Sequence, residues 1–268
     1  MTAKSRPDIA SIAGLVLAGG GIVGGLLLEG GSIRDILQYT AFIIVLCGTF
    51  GAVMVNFPMP VLIGGMKRLV HVFIDTSHDK NQLVELIVEL AGKARKQGIV
   101  SLEDDMNTTS EPFLKKALGL AVDGTDLQEL RRMLELQIDQ EEHHAGQEAK
   151  VWESAGGYSP TIGIIGAVLG LIQVMKNLAD IDEVGHGIAV AFVATVYGVA
   201  FSNILFLPAA AKIKSRIQGE VQRQELILEG VSAMVEGLNP KLIRVKLEAY
   251  LTDHEPPKPP PKPKEGAV

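Results

Sequence analysis

Four apolar runs limit what this 268-residue chain can fold into: Ile9 to Leu28, Ile36 to Phe57, Tyr158 to Met175 with a short extension, and Gly187 to Ala211. Each approaches the roughly 20 residues that a helix needs to cross a bilayer. None carries Lys, Arg, Asp or Glu in its central part. One such run alone reads most simply as a buried core helix. Four in one chain, with a positive mean hydropathy and abundant glycine, point to an all-α integral membrane protein with four transmembrane helices.

The charged start MTAKSRPD would suit a cleavable signal peptide. The run behind it is too long for an h-region and no A-x-A site follows, so it reads as a retained helix. The single cysteine, Cys47, lies inside the second run, cannot form an internal disulfide, and reads as a small packing residue. Lys and Arg collect between runs two and three (Lys67, Arg68, Lys93, Arg95, Lys96, Lys115, Lys116, Arg131, Arg132) and just after run four (Lys212, Lys214, Arg216). The two short connections hold only Arg34 and Lys176, so the positive-inside bias places both termini and the long middle segment in the cytoplasm.

The chain therefore divides into spans one and two (1–60), a helical cytoplasmic domain (61–156), spans three and four (157–211, about 158–178 and 187–211), C-terminal helices (212–252) and a tail (253–268). In the middle domain Leu83, Leu86, Ile87, Leu90 and Ala94 recur at helical spacing, and Gly98 is placed to end that helix. Pro112 suits a first helical turn, and a third helix runs over Leu127, Leu130, Leu134 and Ile138. No strand pattern is evident. The tail EPPKPPPKPKEGAV reads as an extended, solvated segment.

Small residues stripe three of the spans: Gly20 with Gly24 and Gly21 with Gly25 in the first, Gly163, Gly166 and Gly170 in the third, and Gly187, Ala191, Thr195, Gly198 and Ser202 in the fourth. Such spacing lets helices approach closely in lipid. Thr161 and Thr195 have two readings. A buried threonine commonly bonds back to its own helix; the alternative is that both hydroxyls line a wet ion path. Ion paths are normally marked by an ionisable residue at depth, and spans three and four have none, so a conducting path would need a carboxylate from another polypeptide. No enzyme site is evident: His143 and His144 are adjacent rather than four apart, and no phosphate-binding loop or nucleophile elbow is present. The turn ARKQGIVSLEDD sets Arg95 and Lys96 beside Glu103, Asp104 and Asp105, either as a solvated turn or as a docking surface for a partner of complementary charge.

The RKQG…SLE turn, the YSPTIGIIGAVLGL entrance to span three and the AVAFVATVYG…NILFLP run of span four resemble the MotA/PomA family, the A subunits of flagellar motor stators, over nearly the whole chain apart from the tail. The resemblance implies an ion-driven rotary stator in the bacterial inner membrane, with five A subunits around two B subunits, the B subunit supplying the ion-binding aspartate. It implies that Arg95, Lys96, Glu103 and Asp104 face the rotor protein FliG, that Pro160 and Pro208 couple conformations, and that Thr195 lies beside the ion path. Thr161 occupies a position that varies in the family. Sodium-type members resemble one another in having threonine where this chain has Ala167, and a methyl group cannot replace a ligand oxygen, which favours the proton over sodium. No cofactor, metal or nucleic acid is implied. The alternatives are an ExbB/TolQ-like energiser, which typically has three spans, and a non-conducting membrane scaffold. Pro160 is tolerable as an entrance residue of span three, or it serves as a bend between the cytoplasmic loop and the ion path.

Overall fold

The structure is a computed structural model that describes residues 6–75 and 80–251, so the proline-rich tail lies outside the described residues. The described residues form ten α-helices: α1 (Ile9–Leu28), α2 (Tyr39–Asn56), α3 (Met59–Val72), α4 (Lys80–Gln97), α5 (Glu103–Thr108), α6 (Pro112–Val122), α7 (Leu127–Lys176), α8 (Ile181–Ala200), α9 (Leu207–Val235) and α10 (Pro240–Glu248). A π-helical segment, Phe201–Phe206, joins α8 to α9 without a break. Against the strand-free expectation, the backbone of β1 (Arg6–Pro7) pairs antiparallel with β2 (Ile74–Asp75), a two-residue ladder. Four helical stretches are long and apolar enough to cross a membrane: α1, α2, α7 and the α8–α9 run.

The chain forms two compact units, one of residues 80–139 with 220–251 and the other of 6–75 with 140–219. The first has an apolar core. Leu83, Ile87, Leu102, Leu114, Leu118, Leu130, Leu134, Leu226, Ile227, Ile243 and Leu247 are buried together, and ion pairs rim them. Glu229 receives Arg131 at 2.9 Å and also Lys246. Burial works against the ionised Glu229 carboxylate, but the hydrogen bonds from Lys246 and Arg131 outweigh it and hold its pKa below the usual value.

In the second unit, α2 packs along α8 through Ala41, Val45, Val190, Val193 and Ala194. Tyr197 reaches the start of α2, donating to the Ile36 carbonyl and accepting from the Gln38 N–H at 3.4 Å. Phe50, Trp152 and Phe206 form a ring cluster with centroids 5.9–6.3 Å apart. Trp152 also donates to the Gly65 carbonyl at 2.8 Å, and the nearly buried Glu148 pairs with Arg68, fastening α3 to α7. By contrast α1 has no buried residue, and its glycine pairs have open space around them, so the first stripe finds no partner among the described residues. Cys47 likewise is exposed on α2 rather than packed inside.

Two expectations change. The third helix of the middle segment and span three are one helix of 50 residues, and Pro160 lies in its interior rather than in a first turn. Likewise α9 continues span four to Val235.

At the foot of α1, Asp8 caps the helix by accepting from the Ser11 N–H at 3.0 Å and pairs with Lys212 and Arg216. The Lys212 hydrogen bond and the Ser11 N–H lower its pKa from 3.8 to about 2. The stabilisation is fully present above the unfolded value and is lost as pH falls through the folded one. Asp8→Asn should therefore unfold at lower temperature than the parent at pH 6, with the difference closing as pH falls from 3.8 to about 2. Thermal unfolding in detergent across that range checks it; a gap as wide at pH 2 as at pH 6 would rule the pairing out.

Candidate functional site

Helices α7 and α8 form an antiparallel hairpin whose backbones nearly touch. A Cβ on Gly163 would stand 2.8 Å from the Ala194 carbonyl oxygen, one on Gly170 2.7 Å from that of Gly187, and one on Gly198 2.6 Å from that of Ser159. Real Cβ atoms do not come that near, so glycine is required at all three. Two buried hydroxyls cross the interface: Ser159 donates to the Gly198 carbonyl at 2.9 Å and Ser202 to the Gly156 carbonyl at 2.7 Å. The hairpin leaves an apolar outer face, with Ile164, Ile165, Val168, Leu169 and Ile172 of α7 exposed.

Thr195 is half-buried at the level of Gly163, whose Cβ would lie 3.5 Å from the Thr195 Cα. Its hydroxyl donates to the Ala191 carbonyl at 3.2 Å, and that of the exposed Thr161 donates to the Tyr158 carbonyl at 2.8 Å. Both threonines thus make the local back-bond within their own helix. Each hydroxyl spends its hydrogen there and keeps oxygen lone pairs for an incoming donor or cation. Thr161 and Ala167 do not share a face: six positions on one helix (167 − 161) place them about 120° apart around its axis. Pro208 is the second residue of α9, directly after the π segment.

The charged turn lies in the other unit. Gly98, at φ 85°, ends α4 in a conformation that L side chains rarely adopt, and a 3-10 turn over Ile99–Leu102 then buries Leu102 and leads into α5. Lys93 pairs with Asp105 at 2.6 Å and closes the turn. Arg95, Lys96, Glu103 and Asp104 remain exposed, and none of the four has an ion pair among the described residues. Arg95 also stands at the edge of a cleft of about 270 Å³ with Ala91, Ile99, Met234 and Leu238.

Residues 105–226 match the MotA/TolQ/ExbB proton channel family and residues 12–98 match the motility protein A N-terminal family. The chain is 34% identical to motility protein A of Bacillus subtilis (strain 168), covering 91% of each protein. The chain belongs to the motility protein A family. A further relative is chemotaxis protein PomA of Vibrio alginolyticus, 32% identical over 92% of this chain and 96% of that one. Two solved structures share the fold. One, of C. jejuni MotAB, has a TM-score of 0.87 at 32% identity, covering 93% of this chain and 98% of that one. The other, of the flagellar MotAB stator complex from Bacillus subtilis, has a TM-score of 0.83 at 33% identity, covering 91% and 96%.

Within this motility protein A fold, sequence reasoning passed over α3, the Glu148–Arg68 pair, and the part played by Ser159 and Ser202. For Ser202 a signal existed. A proline inside a helix frees the carbonyl four residues earlier, so Pro160 calls for a donor near Gly156. The π segment has no such signature: FSNILFLP reads as an ordinary apolar helix.

Proposed function

We propose that this chain is the A subunit of a flagellar motor stator, an ion-driven rotary unit that generates torque on the rotor together with a B subunit. The observation that carries the reading is the end-to-end likeness in sequence and fold to motility protein A and to MotAB complexes, joined to an ion-path wall without Asp, Glu, Lys, Arg or His between Tyr158 and Met175 or Gly187 and Ala211. A path with such a wall takes its titrating carboxylate from the B subunit. The exposed apolar faces of α1 and α7 suit lipid and neighbouring subunits, and the assembly is a ring of five A subunits around two B subunits in the inner membrane.

The mechanism follows from the chemistry of the wall. A proton arriving on the partner aspartate neutralises it in a low-dielectric setting and changes its preferred position. Thr195 and Thr161, their hydrogens spent on backbone carbonyls, accept a hydrogen bond from the protonated acid or from water. Ala167 offers a methyl where an oxygen would serve sodium, so the coupling ion is the proton. Pro160 lies inside α7 and Pro208 at the start of α9, so movement at either acts on a long helix. The domain 61–156 is cytoplasmic, and Arg95, Lys96, Glu103 and Asp104 push on FliG. The Asp8–Lys212–Arg216 cluster joins the start of α1 to α9 and supports a cytoplasmic N-terminus beside the basic segment after span four.

Expression with its B subunit in cells lacking a stator is expected to restore swimming. Speed should collapse under a proton uncoupler and be unaffected by removal of sodium. Swimming that follows sodium and ignores the uncoupler would overturn the ion assignment, and no recovery of swimming would overturn the stator reading.

A further inference from the structure

Pro160 has no backbone N–H, so the Gly156 carbonyl four residues earlier in α7 loses its helical donor. A buried carbonyl without a donor is costly. The Ser202 hydroxyl, itself buried, donates to that oxygen at 2.7 Å from the neighbouring helix. Ser202 in turn belongs to the π segment Phe201–Phe206, and its own carbonyl accepts the Leu207 N–H five residues on. The segment has a geometric consequence. Gly198, Ser202, Phe206 and Ala210 are all buried, a run of steps of four. A regular α-helix would turn Ala210 about 120° away from Gly198, whereas the wider π turn keeps the stripe in phase and Ser202 aimed at α7. One turn earlier, Ser159 donates back to the Gly198 carbonyl at 2.9 Å, and a Cβ on Gly198 would meet the Pro160 Cα at 3.2 Å. The proline site of α7 and the π segment of α8–α9 are therefore held together by reciprocal hydroxyl–carbonyl bonds at a contact that admits no side chain.

We propose that Ser202 is a positioning residue of torque generation: its hydroxyl stands in for the N–H that Pro160 lacks and couples the proline site of α7 to the π segment, so that displacement at Pro160 is transmitted to α9. This rests on the stator reading above. Without the hydroxyl, the link between the proline site and the π segment is lost while the Ser159–Gly198 bond remains, and converting the π turn to an α turn would rotate the downstream helix by about 100° and withdraw the link in the same way.

The test uses the chain assembled with its B subunit in single-motor recordings, where each unit that joins a motor raises its speed by one increment. Ser202→Ala is expected to lower the increment at high load by about fivefold while the number of units per motor stays at the parent level, and Ser202→Thr, which keeps the hydroxyl, restores it. Fewer units that each deliver a full increment, or Ser202→Ala behaving as the parent, would show a merely structural role and overturn the proposal. A second measurement does not depend on rotation: a cycle of Pro160→Ala and Ser202→Ala followed by thermal unfolding of the purified complex. Ser202→Ala should lower the unfolding temperature by a few degrees when Pro160 is present. It should leave it unchanged in the Pro160→Ala background, where the backbone regains an N–H to donate to the Gly156 carbonyl. Equal losses in both backgrounds would overturn the pairing. A parent chain that restores no rotation would reject the stator reading and the torque role with it, while the cycle still decides the hydrogen bond.

Discussion

Replacing Gly198 with alanine is expected to destabilise the α7–α8 hairpin by roughly 2–5 kcal/mol, the sum of an overpacked contact and two weakened hydrogen bonds, and to abolish motility. The new methyl would lie 2.6 Å from the Ser159 carbonyl oxygen, 3.1 Å from the Gly163 Cα and 3.2 Å from the Pro160 Cα. All of these are backbone atoms, so no rotamer change relieves the clash and α7 must move as a whole. That movement lengthens both the Ser159–Gly198 and the Ser202–Gly156 bonds. Gly219→Ala on α9 is the matched control, because a Cβ there meets nothing within 4 Å and alanine favours the helix. Thermal unfolding in detergent and soft-agar spreading of both variants make the comparison. Equal stability of the two would mean that the close approach is not what holds the hairpin.

Reversing the charges of the turn, Arg95→Glu with Glu103→Lys, is expected to cut motor torque several-fold without loss of fold. Both side chains are exposed and neither has an ion pair among the described residues, so the stability change should stay within about 0.5 kcal/mol. At the proposed rotor contact the same reversal would set like charges together, which costs several kcal/mol at a close contact. Complementary reversals on the rotor protein should recover much of the torque. A motor indifferent to the reversal would end the docking role of the turn. Lys93→Glu offers a contrast, because it breaks the pair with Asp105 that closes the turn. It should lower torque in a way that no rotor change rescues.

The four spans were legible because crossing lipid demands a long uncharged run, a local property of the chain. Pro112 at the start of α6 and Gly98 at the end of α4 were legible for a similar reason, since each has a backbone preference that acts within a turn or two. The glycine stripes of spans three and four were also read correctly as a close contact, and the structure pairs Gly163 and Gly170 with the backbone of α8.

What sequence reasoning misplaced was Pro160 as an entrance residue, since a residue without a backbone N–H is easiest to place in a first helical turn. The helix continues through it because the missing donor is supplied from Ser202, 46 residues away in the chain. The same limit applies to the first span, whose glycine pairs look like those of span three yet meet nothing among the described residues. Periodicity announces that a face is suited to packing and is silent on which partner takes it.

By itself, then, the sequence determined the helical class, the membrane runs, the absence of an ionisable group along spans three and four, and the charged turn, since all of these are set by residue type and spacing along the backbone. Only the tertiary structure decided which stripes meet, that Arg95, Lys96, Glu103 and Asp104 have no ion pair among the described residues while Lys93 takes Asp105, and that Ser202 completes the helix at Pro160. Those outcomes depend on atoms brought together from distant parts of the chain, where a hydrogen bond or a clash is a matter of a few tenths of an ångström.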